Sequence, residues 1–238
     1  MKGSHAVRTL AEMKKVIYDQ KWLKKERLNL EIPLYYVYQG LSKNKNDKKT
    51  FKKFWLSYDV TIIPPRLLGK EFVKTKGHYH PLFSKKLSYP EIYEVLDGKA
   101  IFLLQQKNKI SNIKNVIAIK VKKDEKIIIP PNYGHIIINV ANKTLKTANI
   151  ISNKFFPVYD EVEKKNGFCY FAIKEKSGIK WIKNKKYKKV PGLRFKKPGI
   201  FSEFQISKSK SLYNLIKTPF VLDFLNKPQN YSKIWKKF

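Results

Sequence analysis

The stretch Thr75-Lys76-Gly77-His78-Tyr79-His80 decides how this chain is read, with Glu91 downstream and Pro130-Pro131-Asn132-Tyr133-Gly134-His135 beyond it. On an extended strand, residues i and i+2 share a face, so His78 and His80 project their imidazoles together. Around this stretch, short runs rich in Ile, Val, Phe and Tyr recur at 54–63, 72–80, 92–96, 100–105, 116–121, 127–129, 135–140, 147–152 and 168–173. Turn signals separate several of them, among them Pro64-Pro65, Asp97-Gly98, Lys107-Asn108 and Pro130-Pro131-Asn132. Many short strands with regular breaks predict an antiparallel sandwich or barrel.

The two ends read differently. Residues 9–22 are expected to form an amphipathic helix, opened by a Thr9–Glu12 capping box and carrying Leu10, Met13 and Ile17 on one face. Pro33 precedes a short aromatic stretch, Leu34 to Tyr38, and the polar run 42–53 reads as a loop. A Lys-rich run after Trp181 reads as a solvated edge. Apolar clusters between Leu212 and Phe238 predict two short helices broken at Pro219 and Pro228. The expected organisation is a lead-in helix and strand over 1–53, a barrel over 54–190 and a helical extension over 191–238.

A length of 238 residues, with 42% hydrophobic side chains, suits one domain with a real core. The net charge is +33, yet only four of the 51 basic residues are Arg: Arg8, Arg27, Arg66 and Arg194. Nucleic-acid readers favour Arg for its bidentate contacts, and an excess of Lys, Ile, Asn, Tyr and Phe follows from A/T-rich codons alone. A nucleic-acid partner is therefore not expected. The single Cys169 excludes an internal disulfide and suits a reducing compartment. No apolar run reaches the ~18 residues of a membrane span, and no secretory h-region is visible, so a cytoplasmic protein is expected.

The chemistry lies in the histidines. Three of the chain's four fall in the two compact motifs. His78, His80, Glu91 and His135 make a mixed nitrogen and oxygen ligand set that suits one divalent ion, with positions left open for substrate oxygens. Glu94 competes with Glu91. Strand alternation places Glu91 and Tyr93 on one face and Glu94 on the other, which favours Glu91.

These residues resemble the two cupin motifs, HxH–Glu–Gly at His78, His80, Glu91 and Gly98, and Asp–Pro–His–Asn at Asp124, Pro130, His135 and Asn139. Asn132 stands where the second motif has glycine, and ten residues separate His80 from Glu91 where three or four are usual. The flanking text is more specific. The segments 61–65 and 68–80, Pro90-Glu91-Ile92-Tyr93 and Pro130 to His135 resemble the cupin-type glucose-6-phosphate isomerases, as do Val7 to Met13 and Leu34 to Tyr38. The resemblance runs over residues 7–190. It implies a mainly β fold, a double-stranded β-helix (jelly-roll) barrel with helical segments at both ends.

The resemblance also implies interconversion of glucose 6-phosphate and fructose 6-phosphate with one metal ion, iron first and manganese, nickel or zinc as alternatives. Thr61, Thr75 and Gly77 match positions near the phosphate, and Tyr93 matches a tyrosine of the sugar site. Glu91 is the candidate proton carrier; the alternative is a metal-assisted hydride shift in which Glu91 is mainly a ligand. Thr75 and Gly77 alternate with His78 and His80, so one regular strand cannot present all four inward; a kink at Gly77 reconciles them. Archaeal members carry a His-Asp-Tyr segment where this chain reads Phe155-Phe156-Pro157-Val158-Tyr159-Asp160, leaving Tyr159 as the hydroxyl nearest to hand. Pairing through outer strands, as in other cupins, implies a homodimer. The alternative readings are action on another phosphosugar, such as mannose 6-phosphate, or a cupin that binds a sugar or polyanion without chemistry.

Overall fold

The computed structural model describes residues 4–25, 29–84, 86–109, 112–199, 202–206 and 209–238. Its strands are β1 (Ser4–Thr9), β2 (Pro33–Gln39), β3 (Leu56–Ile63), β4 (Leu67–Leu68), β5 (Glu71–Phe72), β6 (Glu91–Asp97) and β7 (Lys99–Lys109), then β8 (Asn112–Lys122), β9 (Lys126–Ile129), β10 (Tyr133–Asn139), β11 (Leu145–Ser152), β12 (Tyr170–Glu175), β13 (Gly178–Lys183) and β14 (Arg194–Lys196). One antiparallel sheet runs β1-β2-β3-β11-β6-β9. The facing layer is built from β10-β7-β8-β14 and β13-β12-β5-β4. Bridges Lys74↔Ile138 and His78↔His135 join these two pieces across β10. The two layers close around an apolar interior that includes Val95, Phe102, Ile119 and Ile127, which is the expected mainly β, jelly-roll arrangement.

The sheet's two faces have different partners. On β3, β11 and β6, one set of alternate residues faces the interior. The other set, including Tyr58, Ile92 and Ile150, packs against Leu212, Leu215, Ile216, Leu222, Phe224 and Leu225 from the C-terminal stretch. Each such buried side chain contributes roughly 1.5–3 kcal/mol by leaving water. The C-terminal stretch is thus a cover on the sheet's outer face. Among the described residues, no helix is long and apolar enough to cross a membrane.

Four local expectations are corrected. The helix expected over 9–22 is interrupted. The Thr9–Glu12 capping box forms, with Thr9 N–H donating to Glu12 at 3.0 Å, but α1 (Leu10–Met13) tightens into a 3₁₀ turn and Ile17 is extended. The backbone N–H of Tyr18 leaves the helix to bond the buried Glu71 carboxylate at 2.8 Å, and α2 (Gln20–Lys25) starts afresh.

The polar run 42–53 is not a loop: it holds α3 (Lys45–Lys53), capped by Asn44, whose side chain accepts from Asp47 N–H at 2.8 Å. Phe51 alone is buried on α3, so the run lacks the apolar periodicity that marks a helix. The expected strand over 72–80 is a two-residue ladder followed by isolated bridges. The C-terminal breaks fall at Pro219 and Pro228 as expected, but the pieces are mostly 3₁₀ turns. The N-terminal strands β1 and β2 extend the main sheet itself.

Candidate active site

Three backbone features aim the ligand candidates. Gly77 takes φ +81, and a Cβ there would stand 2.3 Å from Ile136 and 2.6 Å from Phe168. Only glycine fits both the space and the left-handed conformation. This kink breaks the alternation, so Thr75, Gly77 and His78 all line one cavity. Asn132 takes φ +70, a conformation Asn tolerates better than other non-glycine residues. It is further held by its side-chain oxygen, which accepts from Ser88 N–H at 2.9 Å. Asn132 therefore does the work of the missing motif glycine. Strand β10 is buried throughout, and its His135 exchanges backbone hydrogen bonds with His78 at 3.1 and 3.3 Å.

The four side chains converge. One candidate ligand atom from each of His78, His80, Glu91 and His135 lies within 4.8 Å of every other. His78 Nε2 and His80 Nε2 are 3.1 Å apart; Glu91 Oε2 lies 3.3 Å from His80 Nε2 and 3.4 Å from His135 Nε2. The Nδ1–H of His80 donates to the Tyr89 carbonyl at 2.8 Å, which leaves the Nε2 lone pair pointing into the cluster. Burial, then the neighbouring imidazoles, hold His78 and His135 well below the usual imidazole range, so both are neutral. Glu91 Oε2 is buried without a hydrogen-bond donor.

The ring nitrogens of His78, His80 and His135 crowd the Glu91 carboxyl, whose Oε2 has no hydrogen-bond partner, an arrangement that a cation resolves. Two donors about 2.1 Å from one ion and at right angles stand about 3.0 Å apart, close to the separations seen. The residues fit a divalent metal.

The cavity beside the cluster has a volume of about 420 Å³ and is lined by His78, Glu91, His135, Tyr93, Thr61, Thr75, Gly77 and Tyr159. All the site residues expected from sequence border it except His80, whose buried ring backs the cluster. The Tyr93 hydroxyl meets His135 Nε2 at 3.0 Å. Burial, then the charge of Glu91, raise Tyr93 well above the usual tyrosine range, so it keeps its proton. The Tyr159 ring carries Arg8 on one approach and Lys76 on another, at 5.6 and 5.4 Å from the centroid.

Sequence reasoning passed over several lining groups. Arg8 and Tyr35 carry no site role in the sequence reading, and Asp59, Asn149 and Phe155 are not singled out there. Asp59 shares its face of β3 with Thr61, and an acidic residue inside an apolar run was the available signal. Burial, with the charge of Glu91 adding to it, pushes the Asp59 carboxyl up to about 6. Phe155 stacks on Tyr89 at 4.5 Å and packs on the His80 ring at 4.8 Å.

Glu94 points to the opposite face. It pairs with Lys126 at 3.0 Å and accepts the Leu212 N–H at 2.7 Å, tying the C-terminal cover to the sheet. Glu94→Ala should therefore cost about 3 kcal/mol, several degrees of melting temperature, while metal content stays at the wild-type level. Metal loss in that variant would return Glu94 to contention as a ligand.

Comparison with known proteins places this geometry. The family model for glucose-6-phosphate isomerase matches residues 7–191. The glucose-6-phosphate isomerase of Pyrococcus furiosus is 26% identical over 185 residues, covering 77% of this chain and 88% of that protein. That of Pyrococcus abyssi is 28% identical over 183 residues, covering 76% and 87%. Among solved structures, a recombinant oxalate oxidase in complex with glycolate overlaps at a TM-score of 0.40 and 15% identity, over 53% of this chain and 55% of that one. The family match takes in all four ligand candidates and the cavity wall from Arg8 to Tyr159, and on that match this chain belongs to the glucose-6-phosphate isomerase family.

Proposed function

We propose that this protein interconverts glucose 6-phosphate and fructose 6-phosphate, holding one divalent metal ion on His78, His80, Glu91 and His135. The observation that carries the reading is the donor set: three imidazoles and a carboxylate turned toward one another at the wall of a cavity that also presents hydroxyl and backbone donors. When bound, the ion supplies Lewis acidity toward oxygens on adjacent sugar carbons. Iron stands first in this reading, and the donor types accommodate manganese, nickel or zinc equally.

Aldose–ketose isomerisation moves one hydrogen between C1 and C2. On one route Glu91 carries it as a proton. Its place inside the ligand cluster favours a second route, because a carboxylate beside a cation is a weaker base; the hydrogen then passes directly between the carbons and Glu91 is a ligand. Tyr93, protonated and buried, offers a hydrogen bond to a substrate oxygen. The Thr75 hydroxyl oxygen accepts from Ile137 N–H at 3.0 Å, which leaves its own hydrogen to donate to phosphate. Thr61, Gly77 and Tyr159 serve the same end, where Arg8 adds positive charge.

The test is a coupled assay with fructose 6-phosphate before and after chelation, then with iron, manganese, nickel or zinc returned. Turnover should vanish with the metal and return with at least one of these ions. Activity that survives complete metal removal, or never returns, would sink the reading. Deuterium incorporated from D2O at the transferred position marks the proton route, and its absence marks the direct one.

A further inference from the structure

The geometry points to Asp59, with Asn149 beside it, as the residue that reads the secondary hydroxyls of the sugar and so sets which way the substrate lies in the cavity. This rests on the reading that the cavity takes a phosphosugar. Strand register places Asp59 opposite Asn149, and Asn149 opposite Tyr93. The three side chains form one row across β3, β11 and β6. All three are buried and line the cavity, and the row ends at Tyr93, whose hydroxyl touches His135.

The chemistry of Asp59 asks for a partner beyond those it has. Among the described residues its partners are neutral donors: the Gly40 N–H at 2.9 Å, the Ser57 hydroxyl at 2.6 Å and the Asn149 side chain. A buried carboxylate without a cation is costly, and a neutral acceptor would hold Gly40 and Ser57 as well. Both of those bonds fall on Oδ1, so Oδ2 is engaged by neither and the carboxyl retains capacity for another donor. A carboxylate oxygen next to an amide complements a hydroxyl group, which donates and accepts at once. Charge-assisted O–H···O⁻ bonds are about twice as strong as neutral ones.

The same charge repels phosphate. Arg8 lies beside Tyr35 in the β1–β2 register, and the Tyr35 hydroxyl accepts the Lys76 N–H at 3.2 Å, next to Thr75 and Gly77. The phosphate therefore lies toward Arg8 and Thr75, and the hydroxyl-bearing carbons lie toward Asp59.

The test compares fructose 6-phosphate with its 3-deoxy and 4-deoxy analogues as substrates of wild type, Asp59→Asn and Asp59→Ala. Wild type should lose at least ~10-fold in kcat/KM with one of the deoxy analogues, and the variants should lose that discrimination, with KM for fructose 6-phosphate raised ~10- to 100-fold. Inhibition by inorganic phosphate should be as tight or tighter in the variants. Each ratio is internal to one protein sample, so partial loss of fold or metal cancels. Asp59→Asn keeps an acceptor for Gly40 and Ser57 and carries the test if Asp59→Ala does not fold. Equal discrimination in wild type and Asp59→Asn overturns the proposal, as does phosphate inhibition that weakens in step with KM. A wild type without turnover overturns the isomerase reading instead.

Discussion

His135→Ala should purify without tightly held metal and lose on the order of 10³-fold or more in kcat/KM for fructose 6-phosphate. The magnitude follows from the several kcal/mol that a Lewis acid contributes to charge development at oxygen. His135 lies in the middle of a strand buried from Tyr133 to Asn139, so its backbone stays in place when the ring is removed. The ring is neutral, and no charge partner is stranded with it. What the substitution takes away is one of the two ring nitrogens within 3.4 Å of Glu91 Oε2 and the partner of the Tyr93 hydroxyl. Metal analysis of the purified variant alongside the coupled assay measures both losses. Full metal occupancy with near wild-type rate would remove His135 from the ligand set.

Gly77→Ala should lower the melting temperature by about 10 °C and release the metal at the same time. Two costs add. An L residue in the left-handed region loses roughly 1–2 kcal/mol, and crowding a filled interior costs a further 1–3 kcal/mol or so. At 2–4 °C per kcal/mol for a chain of this size, that sum is about 10 °C. The neighbours cannot yield cheaply. Ile136 and Phe168 are each 1% exposed, and a Cβ would stand 2.3 and 2.6 Å from them. Because Gly77 immediately precedes His78, any backbone relaxation turns an imidazole away from the cluster. A thermal melt followed by metal analysis reads both effects, and a shift under 2 °C would contradict the argument.

The sheet strands were legible because both sides of each are buried or patterned, and the runs around 56–63, 91–97, 133–139 and 145–152 announce themselves by Ile, Val and Tyr. Glu91 was separable from Glu94 because strand alternation has a period of two, and the structure sends the two carboxylates to opposite faces. The kink at Gly77 could be inferred from a conflict, since His78 and Thr75 could not otherwise serve one site. What escaped had a weak local signal or none. α3 has one buried side chain and is held by its cap and by tertiary contact. The break after Val16 depends on Glu71, a residue far along the chain. Asp59 was passed over because a single polar residue in a strand carries no spacing, and its meaning appears only when Asn149 and Tyr93 are laid beside it by register.

The two-sided use of β3, β11 and β6 has an evolutionary consequence. Odd-numbered positions on β3 and β6 (Ser57, Asp59, Thr61; Glu91, Tyr93, Val95) belong to the interior, and their even-numbered neighbours Tyr58, Ile92 and Glu94 belong to the C-terminal cover. Parity along the strand therefore divides one stretch of gene into two almost independent inheritances, one answerable to the substrate and one to the appended tail. Substitutions can drift in either without touching the other. A single-codon insertion or deletion within a strand exchanges the two sets wholesale, so length change in these strands is expected to be purged, and lineages that gained or lost the tail should differ mainly at every second residue.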